Sequence, residues 1–387
     1  MRRLIVVLLG LALGAGLALV LQPGDAAAPR ETSRAANARN TSRPSARAGS
    51  AYVPNIRHVF VINIENKGYD QTWGAGSDAP YLAKRLRSKG VLLNKYYGTA
   101  HNSQGNYIAQ VSGQGPNPDM QGDCQIFGDF TRTGTQAPQQ AVGSGCVFPT
   151  SVNSLPAQMS KHHLRWKGYM QDLPRACYHP KIGSQDPTQK ATKKSQYATR
   201  HNPFVYFHSI IDRRRYCKRH VVGLGQLKRD LGSSRRTPAL AYITPDLCAD
   251  GHDATCADPR KPGGLKGVNA FMKTWVPRIL QSPAFKKHGL LVITADESDS
   301  PQSDASACCN ETAVNSPMPG ISGPGGGLIG ALLISPYISP GTWSTTPYNH
   351  YSLLGSLEEI YGLKKLGYAR TVPDVFGLDV YNSGWNQ

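Results

Sequence analysis

Four continuous apolar runs, each rich in β-branched residues, predict the strands of a sheet. They are HVFVINIE (58–65), PALAYITPD (238–246), GLLVITADE (289–297) and GALLISPYI (330–338). Because apolar and polar positions do not alternate in these runs, they are typical of parallel strands that are buried on both faces. Helical spacing of apolar residues occurs between them, at 81–89, 107–111, 268–280 and 351–361. This alternation predicts an α/β fold with a doubly wound, mostly parallel sheet flanked by helices.

The longest apolar run lies at the N-terminus. Arg2 and Arg3 precede the uncharged stretch 4–21, and three alanines follow at 26–28. This order is that of a secretory signal peptide covering residues 1–28, with an uncleaved membrane anchor as the alternative. In either case we expect the rest of the chain outside the cytoplasm. Residues 29–50 lack aromatic and large aliphatic side chains and are predicted to form a disordered basic linker. Residues 51–387 are predicted to form a single domain.

Composition and charge narrow the class of protein. The chain has 387 residues, of which 40% are hydrophobic, so wholesale disorder is excluded. The single long apolar run excludes a polytopic membrane protein. Lys and Arg number 43 against 25 Asp and Glu, a net charge of +18, of which +13 belongs to residues 51–387. Such a field favours anionic partners: phosphorylated substrates, lipid heads, cell-wall polymers or nucleic acid.

Eight cysteines, an even number in a chain with an export signal, predict disulfides. Pairing between near neighbours would give Cys124–Cys146, Cys177–Cys217 and Cys248–Cys256. The adjacent Cys308 and Cys309 are expected to pair outward rather than with each other. A zinc site is the alternative, and the lack of any CxxC pair in the sequence disfavours it.

Acidic residues stand at the ends of three predicted strands. They are Glu65, which Asn66 follows, Asp246, and the pair Asp296 and Glu297. In open α/β sheets, sites form beyond the carboxyl ends of the strands. Converging carboxylates repel each other unless a cation joins them, and carboxylate and amide oxygens favour Ca²⁺, Mg²⁺ or Mn²⁺. For any one of these acids, a helix N-cap is the alternative.

A serine at a predicted helix start is the candidate nucleophile. The segment GTAHNSQGNYIAQVSG (98–113) passes from a turn-like stretch into an apolar, helical stretch, and Ser103 lies at the transition. A helix N-terminus attracts anions, and a serine beside a metal can be activated for phosphoryl transfer. Asn106, three residues further on, could donate to a phosphate oxygen. An ordinary serine N-cap with a local partner is the alternative for both residues.

Histidines also occur at the starts of predicted elements, more often than scattered surface histidines would. They are His101, His201, His252 and His350. His201 precedes Asn202, and His252 precedes Asp253 on a loop that contains glycine and cysteine. A lone histidine is usually structural, but this distribution indicates a polar site around the strand ends.

Six segments together resemble a known family. They are VFVINIENKGYDQTWG, AHNSQGNYIAQVSG, RHNPFVYF, YITPDLCADGHD, VITADES and NHYSLLGSLEEIYGL, in this order. The sequence resembles the bacterial phosphoesterase family that contains secreted acid phosphatases and phosphatidylinositol-type phospholipases C, within the alkaline phosphatase superfamily. The resemblance covers residues 55–365 and implies an alkaline phosphatase-like catalytic domain.

The resemblance also implies a role for each candidate residue. The nucleophile would be Ser103, with Asn106 as its oxyanion partner, while His252 or His350 would protonate the leaving group or position water. The metal ligands would be Glu65, Asn66, Asp296 and Glu297. The substrate-binding residues would be His101, His201, Asn202, Asp246 and Asp253. The cofactor would be a divalent ion, with Ca²⁺, Mg²⁺, Mn²⁺ and Zn²⁺ as the candidates.

The function implied by the resemblance is that of a secreted, metal-dependent acid phosphatase. It would hydrolyse phosphomonoesters, including phosphoinositides such as phosphatidylinositol 3-phosphate, through a phosphoserine. A phospholipase C or other phosphodiesterase using the same site is the first alternative, and a non-catalytic binder of anionic wall polymers is the second. The expected partners are a phosphate ester, a lipid head group and an anionic membrane surface, which RRRYCKRH (213–220) would contact. A solvated charged face is the alternative for this run, and nucleic acid is not expected as a partner.

Overall fold

The computed structural model describes residues 52–309 and 314–381. The predicted signal peptide (1–28) and linker (29–50) lie outside the described residues. The strands are β1 (His58–Ile64), β2 (Val91–Leu93), β3 (Tyr96–Tyr97), β4 (Ile126–Phe127), β5 (Thr131–Gln136), β6 (Gln140–Ser144), β7 (Trp166–Met170), β8 (Ser184–Gln185), β9 (Val221–Gly223), β10 (Leu240–Thr244), β11 (Gly289–Ala295), β12 (Ala331–Ile334), β13 (Thr342–Ser344) and β14 (Tyr348–Asn349).

Helices cover the faces of the sheet and its ends. The α-helices are α1 (Tyr69–Trp73), α2 (Ser103–Ser112), α3 (Pro118–Gln121), α4 (Leu155–Lys161), α5 (His208–Ile211), α6 (Arg214–His220), α7 (Gly225–Asp230), α8 (Gly264–Gln281), α9 (Pro283–His288) and α10 (His350–Tyr361). A π-helical turn at Tyr81–Leu86 continues into a 3₁₀ turn at Arg87–Lys89. Further 3₁₀ turns lie at Thr199–His201, Pro203–Tyr206 and Gly367–Arg370. Each of the four predicted helical segments is therefore helical.

The central sheet of the described residues has eight strands in the order β13-β2-β12-β11-β1-β10-β7-β9. Neighbours pair in parallel from β11 through β1, β10 and β7 to β9, which confirms the predicted α/β fold with a mostly parallel sheet. The expectation of a parallel strand within 330–338 was wrong, because β12 is antiparallel to both β11 and β2. Burial on both faces makes an apolar run continuous whatever its direction, so the pattern could not distinguish the two cases.

Alternate side chains of β1 point to opposite faces of the sheet, and helices cover both. Phe60 meets Phe285 of α9 with ring centroids 6.3 Å apart. Asn63, an odd number of residues away, accepts a hydrogen bond of 3.0 Å from Gln110 of α2. The sheet is thus covered by α9 on one face and by α2 on the other, as a doubly wound fold requires.

The strand register places the predicted acids side by side. Ile64, the last residue of β1, is paired with Ala295, the last residue of β11. Glu65 and Asp296 are the next residues of each strand, so both carboxylates emerge at the same edge of the sheet. This edge is where parallel strands end and where sites form in such folds.

Four disulfides connect the cysteines of the described residues. Three follow the predicted local pairing: Cys124–Cys146, Cys177–Cys217 and Cys248–Cys256. The fourth joins Cys308 to Cys309, so the expectation that these two pair outward was wrong. The six other cysteines already pair with one another, which leaves the two neighbours for each other. No helix in the described ranges is long and apolar enough to cross a membrane.

Candidate active site

Glu65, which follows β1, is the centre of a buried polar cluster. Its carboxylate oxygen Oε2 accepts a hydrogen bond of 2.9 Å from Ser103 Oγ and lies 3.3 Å from Nε2 of His201. Its other oxygen, Oε1, accepts a hydrogen bond from the hydroxyl of Tyr107. The carboxylate therefore connects the predicted nucleophile, a histidine and a tyrosine in the interior of the protein.

Ser103 is the first residue of α2, and Asn102 occupies the N-cap position. The hydroxyl of Ser103 donates to Glu65, so it is not engaged in capping the helix. Gly113 ends the helix in the left-handed conformation, with φ 69°, which a residue without Cβ adopts easily. The ten-residue helix thus aims its positive end at the cluster and places the serine hydroxyl there.

Asp296 and Asn66 offer unpaired oxygens beside Glu65. Asp296 Oδ1 accepts a hydrogen bond of 3.0 Å from the backbone N–H of Asn66, whose φ is 50°. Asp296 Oδ2 and Asn66 Oδ1 are buried and have no hydrogen-bond partner within the described part of the chain. A buried acceptor without a donor is unfavourable, so these oxygens lie where a cation would stabilise them.

Asp250 was not among the predicted site residues, although the structure places it in the cluster. Its Oδ2 lies 3.2 Å from Nδ1 of His201, whose ring stacks on Tyr107 with centroids 5.3 Å apart. The predicted Asp246 instead accepts backbone N–H groups of its own turn, at 3.2 and 3.0 Å, and its Oδ2 lies 3.4 Å from Nζ of Lys261. The acid at the strand end thus shapes the loop, and the acid four residues later reaches the cluster.

Two further predicted residues lie against Glu297. Nδ1 of His101 lies 3.1 Å from Glu297 Oε2, and Nδ2 of Asn106 donates to the same oxygen at 3.2 Å. Asn106 Oδ1 accepts the backbone N–H groups of Thr99 and Ala100, at 2.8 and 2.9 Å. Asn106 thus fixes the loop before the nucleophile while its amide group faces the acid.

His252 and Asp253 form the partly exposed wall of the site. Nδ1 of His252 lies 2.8 Å from Asp253 Oδ1, and its Nε2 lies 3.0 Å from the guanidinium of Arg200. The His252 side chain is 30% exposed, and its ring centroid is 5.8 Å from that of His201. Arg200, which also lies 3.5 Å from Asp123 Oδ2, was missed because a single arginine in the sequence gives no signal of burial.

His350 is close to the cluster, but both of its ring nitrogens have partners inside the protein. Nε2 lies 2.6 Å from the backbone oxygen of Asp296, and Nδ1 lies 3.1 Å from the hydroxyl of Tyr96. Burial lowers the pKa of His350 to about 4. A neutral ring held in this way supports the backbone of Asp296.

Asn202 lies next to His201 and donates from Nδ2 to the hydroxyl of Tyr197 at 2.9 Å. Its Oδ1 is buried without a hydrogen-bond partner among the residues described. The structure therefore brings together twelve of the thirteen predicted site residues around the ends of β1, β10 and β11, and it places Asp246 in the adjoining turn.

Burial and mutual repulsion raise the proton affinity of the acids. The pKa of Glu65 is raised well above its ordinary value, first by burial and then by the charges of Asp296 and Asp250. Burial likewise raises the pKa of Asp250 and Glu297, and lowers that of His201 well below its ordinary value. The acids are therefore unfavourable as anions unless a positive charge lies among them.

The donor atoms of the cluster fit a divalent cation. Glu65, His201 and Asp250 are buried, and each offers one ligand atom within 4.8 Å of the others. The unpaired oxygens of Asp296 and Asn66 extend the set beyond these three. Carboxylates with one imidazole suit Mn²⁺ and Zn²⁺, while the oxygens alone suit Mg²⁺ and Ca²⁺.

Comparison with known proteins places this geometry in context. The model of the family described as "Phosphoesterase family" matches residues 75–364, which include Ser103, His201 and Asp250. The chain is 27% identical over 318 residues to the phosphate-repressible acid phosphatase of Penicillium chrysogenum, covering 79% of this chain and 62% of that protein. It is 22% identical over 338 residues to the phosphatidylinositol-3-phosphatase of Mycobacterium tuberculosis, covering 86% of each chain.

The chain thus spans less than two thirds of the length of the fungal acid phosphatase. Among solved structures, a protein in the alkaline phosphatase superfamily from Vibrio parahaemolyticus aligns with a TM-score of 0.43 and 12% identity. This alignment covers 82% of the present chain and 69% of that one.

Proposed function

Because the chain belongs to the Phosphoesterase family, we propose that it is a metal-dependent acid phosphatase that hydrolyses phosphomonoesters through a phosphoserine at Ser103. One observation carries the proposal. The hydroxyl of Ser103 stands at a helix N-terminus, 2.9 Å from a buried carboxylate that lies among unpaired ligand atoms. Similarity to the acid phosphatase of Penicillium chrysogenum supports the assignment.

Each side chain has a separate role in the proposed reaction. Ser103 Oγ gives its proton to Glu65 Oε2 and forms a bond to phosphorus while the bond from phosphorus to the ester oxygen breaks. Glu65 returns this proton to Ser103 Oγ when water later cleaves the phosphoserine.

Arg200 can only donate to Nε2 of His252, so His252, whose side chain is 30% exposed, would first part from Arg200. It would then deliver a proton to the departing alkoxide and later take one from the water that cleaves the phosphoserine. The buried ring of His350 keeps the backbone of Asp296 in position, so we assign the proton transfers with the leaving group and the water to His252.

The high energy barrier to hydrolysis of a phosphate monoester is the reason for proposing a metal ion. Hydrolysis of phosphate monoesters needs accelerations of up to ~10²¹-fold, and one hydrogen-bond donor supplies roughly 10²–10³. A divalent cation held by Glu65, Asn66, Asp250, Asp296 and His201 would neutralise phosphate charge and lower the pKa of the serine hydroxyl. Both hydrogens of Asn106 Nδ2 are donated to Ala100 and Glu297, so the positive N-terminus of α2 at Ser103 would orient the phosphoryl oxygens.

We propose phosphoinositides, such as phosphatidylinositol 3-phosphate, as a substrate class. The support is the similarity to the phosphatidylinositol-3-phosphatase of Mycobacterium tuberculosis, which extends over most of both chains. The positive charge of the folded region favours a lipid head group presented at an anionic membrane surface.

We further propose that the protein acts outside the cytoplasm. The four disulfides of the described residues support this location, because disulfides persist in oxidising compartments. The signal peptide at residues 1–28 remains a prediction.

The test compares the purified chain with Ser103→Ala on p-nitrophenyl phosphate and on bis-p-nitrophenyl phosphate, with and without a chelator. We expect turnover of the monoester that is lost both in the variant and after chelation, and restored when a divalent ion is added back. Trapping of labelled phosphate on the wild-type chain at low pH, and its absence from Ser103→Ala, would establish the phosphoserine.

Three outcomes would change the assignment. A preference for the diester would indicate a phosphodiesterase such as a phospholipase C. Full activity after exhaustive chelation would contradict the role of the cation, and no turnover of either ester by a folded protein would indicate a binding protein.

A further inference from the structure

A second cavity lies at the end of α2 that is remote from Ser103. It encloses about 290 Å³ between the β5–β6 hairpin, the start of α4 and the segment 364–370. Ser112, the last residue of α2, lines the cavity. A helix of ten residues is about 15 Å long, so this cavity is separate from the cluster around Glu65.

Four cations line the cavity, and no acidic residue does so in the described ranges. They are Arg132, Lys364, Lys365 and Arg370. Lys365 lies 3.1 Å from Glu359 behind the wall, whereas the exposed Lys364 and Arg370 have no carboxylate partner among the described residues. Like charges that share a concave surface raise the free energy unless an anion lies between them.

The side chain of Arg132, on the β5–β6 hairpin, is held in a fixed orientation. The guanidinium of Arg132 donates to the backbone oxygen of Gly134, to Ser151 Oγ at 3.0 Å and to the hydroxyl of Thr135. These bonds fix the direction of its planar group, which lowers the entropic cost of binding an oxyanion.

A buried acceptor in the wall points to a second feature of the ligand. Gln158 of α4 is 8% exposed, and its Nε2 donates to the backbone oxygen of Lys364 at 3.0 Å. Its Oε1 is buried and finds no hydrogen-bond partner in the described part of the chain. An amide oxygen in this state requires a hydrogen-bond donor, which a ligand hydroxyl would supply.

We propose that this cavity binds a small phosphorylated polyol, such as a sugar phosphate or an inositol monophosphate. The phosphate would lie against Arg132, Lys364 and Arg370, and a ligand hydroxyl would donate to Gln158 Oε1. The volume is close to the lower limit of ligand pockets, about 300 Å³, and so fits a single ring. This site is independent of the proposed hydrolysis at Ser103.

Calorimetric titration of the full chain with myo-inositol 1-phosphate tests the proposal. The Ser103→Ala background prevents turnover, and we expect two binding events per chain, one at each site. In this background Lys364→Ala with Arg370→Ala should remove one event or weaken it at least about tenfold, because two charged donors are lost. Lys286→Ala with Lys287→Ala, on the distant α9, should leave both events unchanged.

The polyol contribution is tested by Gln158→Met, which keeps the volume but removes the acceptor. Gln158→Met also removes the donor to the backbone oxygen of Lys364, a loss that both ligands share. It should therefore weaken inositol 1-phosphate at this site several-fold more than it weakens inorganic phosphate. Thermal unfolding confirms that each variant is folded.

Two results would overturn the proposal that this cavity binds a ligand. One is a Lys364→Ala, Arg370→Ala protein that keeps both events with their original affinities. The other is a single event in Ser103→Ala that His201→Ala abolishes, since all binding would then occur at the catalytic cluster. An equal effect of Gln158→Met on both ligands would leave a simple anion site and refute the polyol.

Discussion

Two acids on one loop differ in what they contact. Asp250 lies against His201 in the cluster, and Asp246 accepts hydrogen bonds from the backbone of its own turn. We expect Asp250→Asn to lower phosphatase activity at least about 100-fold, because a charged ligand is lost, and to weaken metal binding in parallel.

Asp246→Asn is the matched control, since an amide oxygen still accepts the N–H groups of Cys248 and Ala249. Its activity should remain within a few-fold of wild type. Equal losses in the two variants, measured as kcat/KM on p-nitrophenyl phosphate, would mean that the loop acts as a unit and that Asp250 has no special role.

Tyr107 affects the charge state of Glu65 in the cluster. Its hydroxyl donates to Glu65 Oε1 and so stabilises the carboxylate as an anion. Removal by Tyr107→Phe should raise the Mn²⁺ concentration for half-maximal activity by roughly 10- to 100-fold, while kcat at saturating metal changes little. The measurement is a metal titration of chelator-treated enzyme.

Tyr361→Phe serves as the comparison, because that hydroxyl donates to the backbone oxygen of Ala239 at 2.6 Å, away from the cluster. An unchanged metal requirement in Tyr107→Phe would show that the hydrogen bond does not tune the site.

Most residues of the candidate site could be predicted from the sequence, but the contacts between them could not. Acids after strands and histidines at element starts could be recognised because parallel strands end at one edge. Asp250 could not be recognised, because its position depends on how the loop closed by Cys248–Cys256 folds back. Arg200 could not be recognised, because the sequence does not show which arginine is buried. The hydrogen bonding of the His350 ring could not be recognised either, because one of its partners is Tyr96, which lies far away in sequence.

At the scale of elements, helix α10 contains a buried acid outside the site. Glu358 accepts a hydrogen bond of 3.0 Å from the backbone N–H of Leu366, and its Oε2 has no partner in the described residues. Burial raises the pKa of Glu358 from 4.5 to about 9. The folded protein thus binds this proton more tightly than the unfolded chain does, so its stabilising effect is complete below pH 4.5 and is lost as pH rises toward 9.

Glu358→Gln keeps an acceptor for Leu366 and removes the titration. We expect the variant to match wild type near pH 4 and to exceed its free energy of unfolding by up to about 3 kcal/mol at pH 7. Denaturant unfolding at several pH values measures the difference. A Glu358→Gln difference that stayed constant from pH 4 to 9 would contradict the raised pKa.

Long, buried elements were predictable, and short edge strands were not. The runs that became β1, β10 and β11 are seven, five and seven residues long and mostly apolar, which is a strong local signal. The strands β2, β9 and β13 have three residues each, so pairing with neighbours determines them rather than their own sequence. The direction of β12 also depends on the connection that joins it to β11, which the apolar pattern of the strand itself does not encode.

At the scale of the whole molecule, the positive charge is concentrated in one segment. Residues 161–236 contain 18 Lys and Arg but four Asp and Glu, which accounts for the whole positive excess of residues 51–387. Sixteen of these cations are exposed. The segment includes β7 and β9 at one edge of the sheet, so residues 51–387 have a strongly basic end, and the rest of that range is nearly neutral.

A basic end of this kind should increase activity at an anionic membrane, because each Lys or Arg near such a surface contributes about 1 kcal/mol. Arg214→Glu with Arg215→Glu, in the first turn of α6, should lower hydrolysis of phosphatidylinositol 3-phosphate in vesicles containing phosphatidylserine by roughly 10- to 100-fold. Arg213 is retained because its guanidinium packs 4.4 Å from the ring centroid of Tyr216. Acids at a helix N-terminus are favourable, so the fold should tolerate the change.

The soluble ester p-nitrophenyl phosphate separates surface attraction from catalysis, because the double variant should hydrolyse it at the wild-type rate. Lys84→Glu with Arg85→Glu reverses two exposed charges in the turn Tyr81–Leu86, near the opposite end of the sheet, and should leave vesicle activity unchanged. Added salt should reduce the wild-type rate on vesicles toward that of the Arg214, Arg215 variant, since screening acts on exposed charges. Equal losses on vesicles and on the soluble ester would show that this end of the molecule affects the site itself and does not bind the membrane.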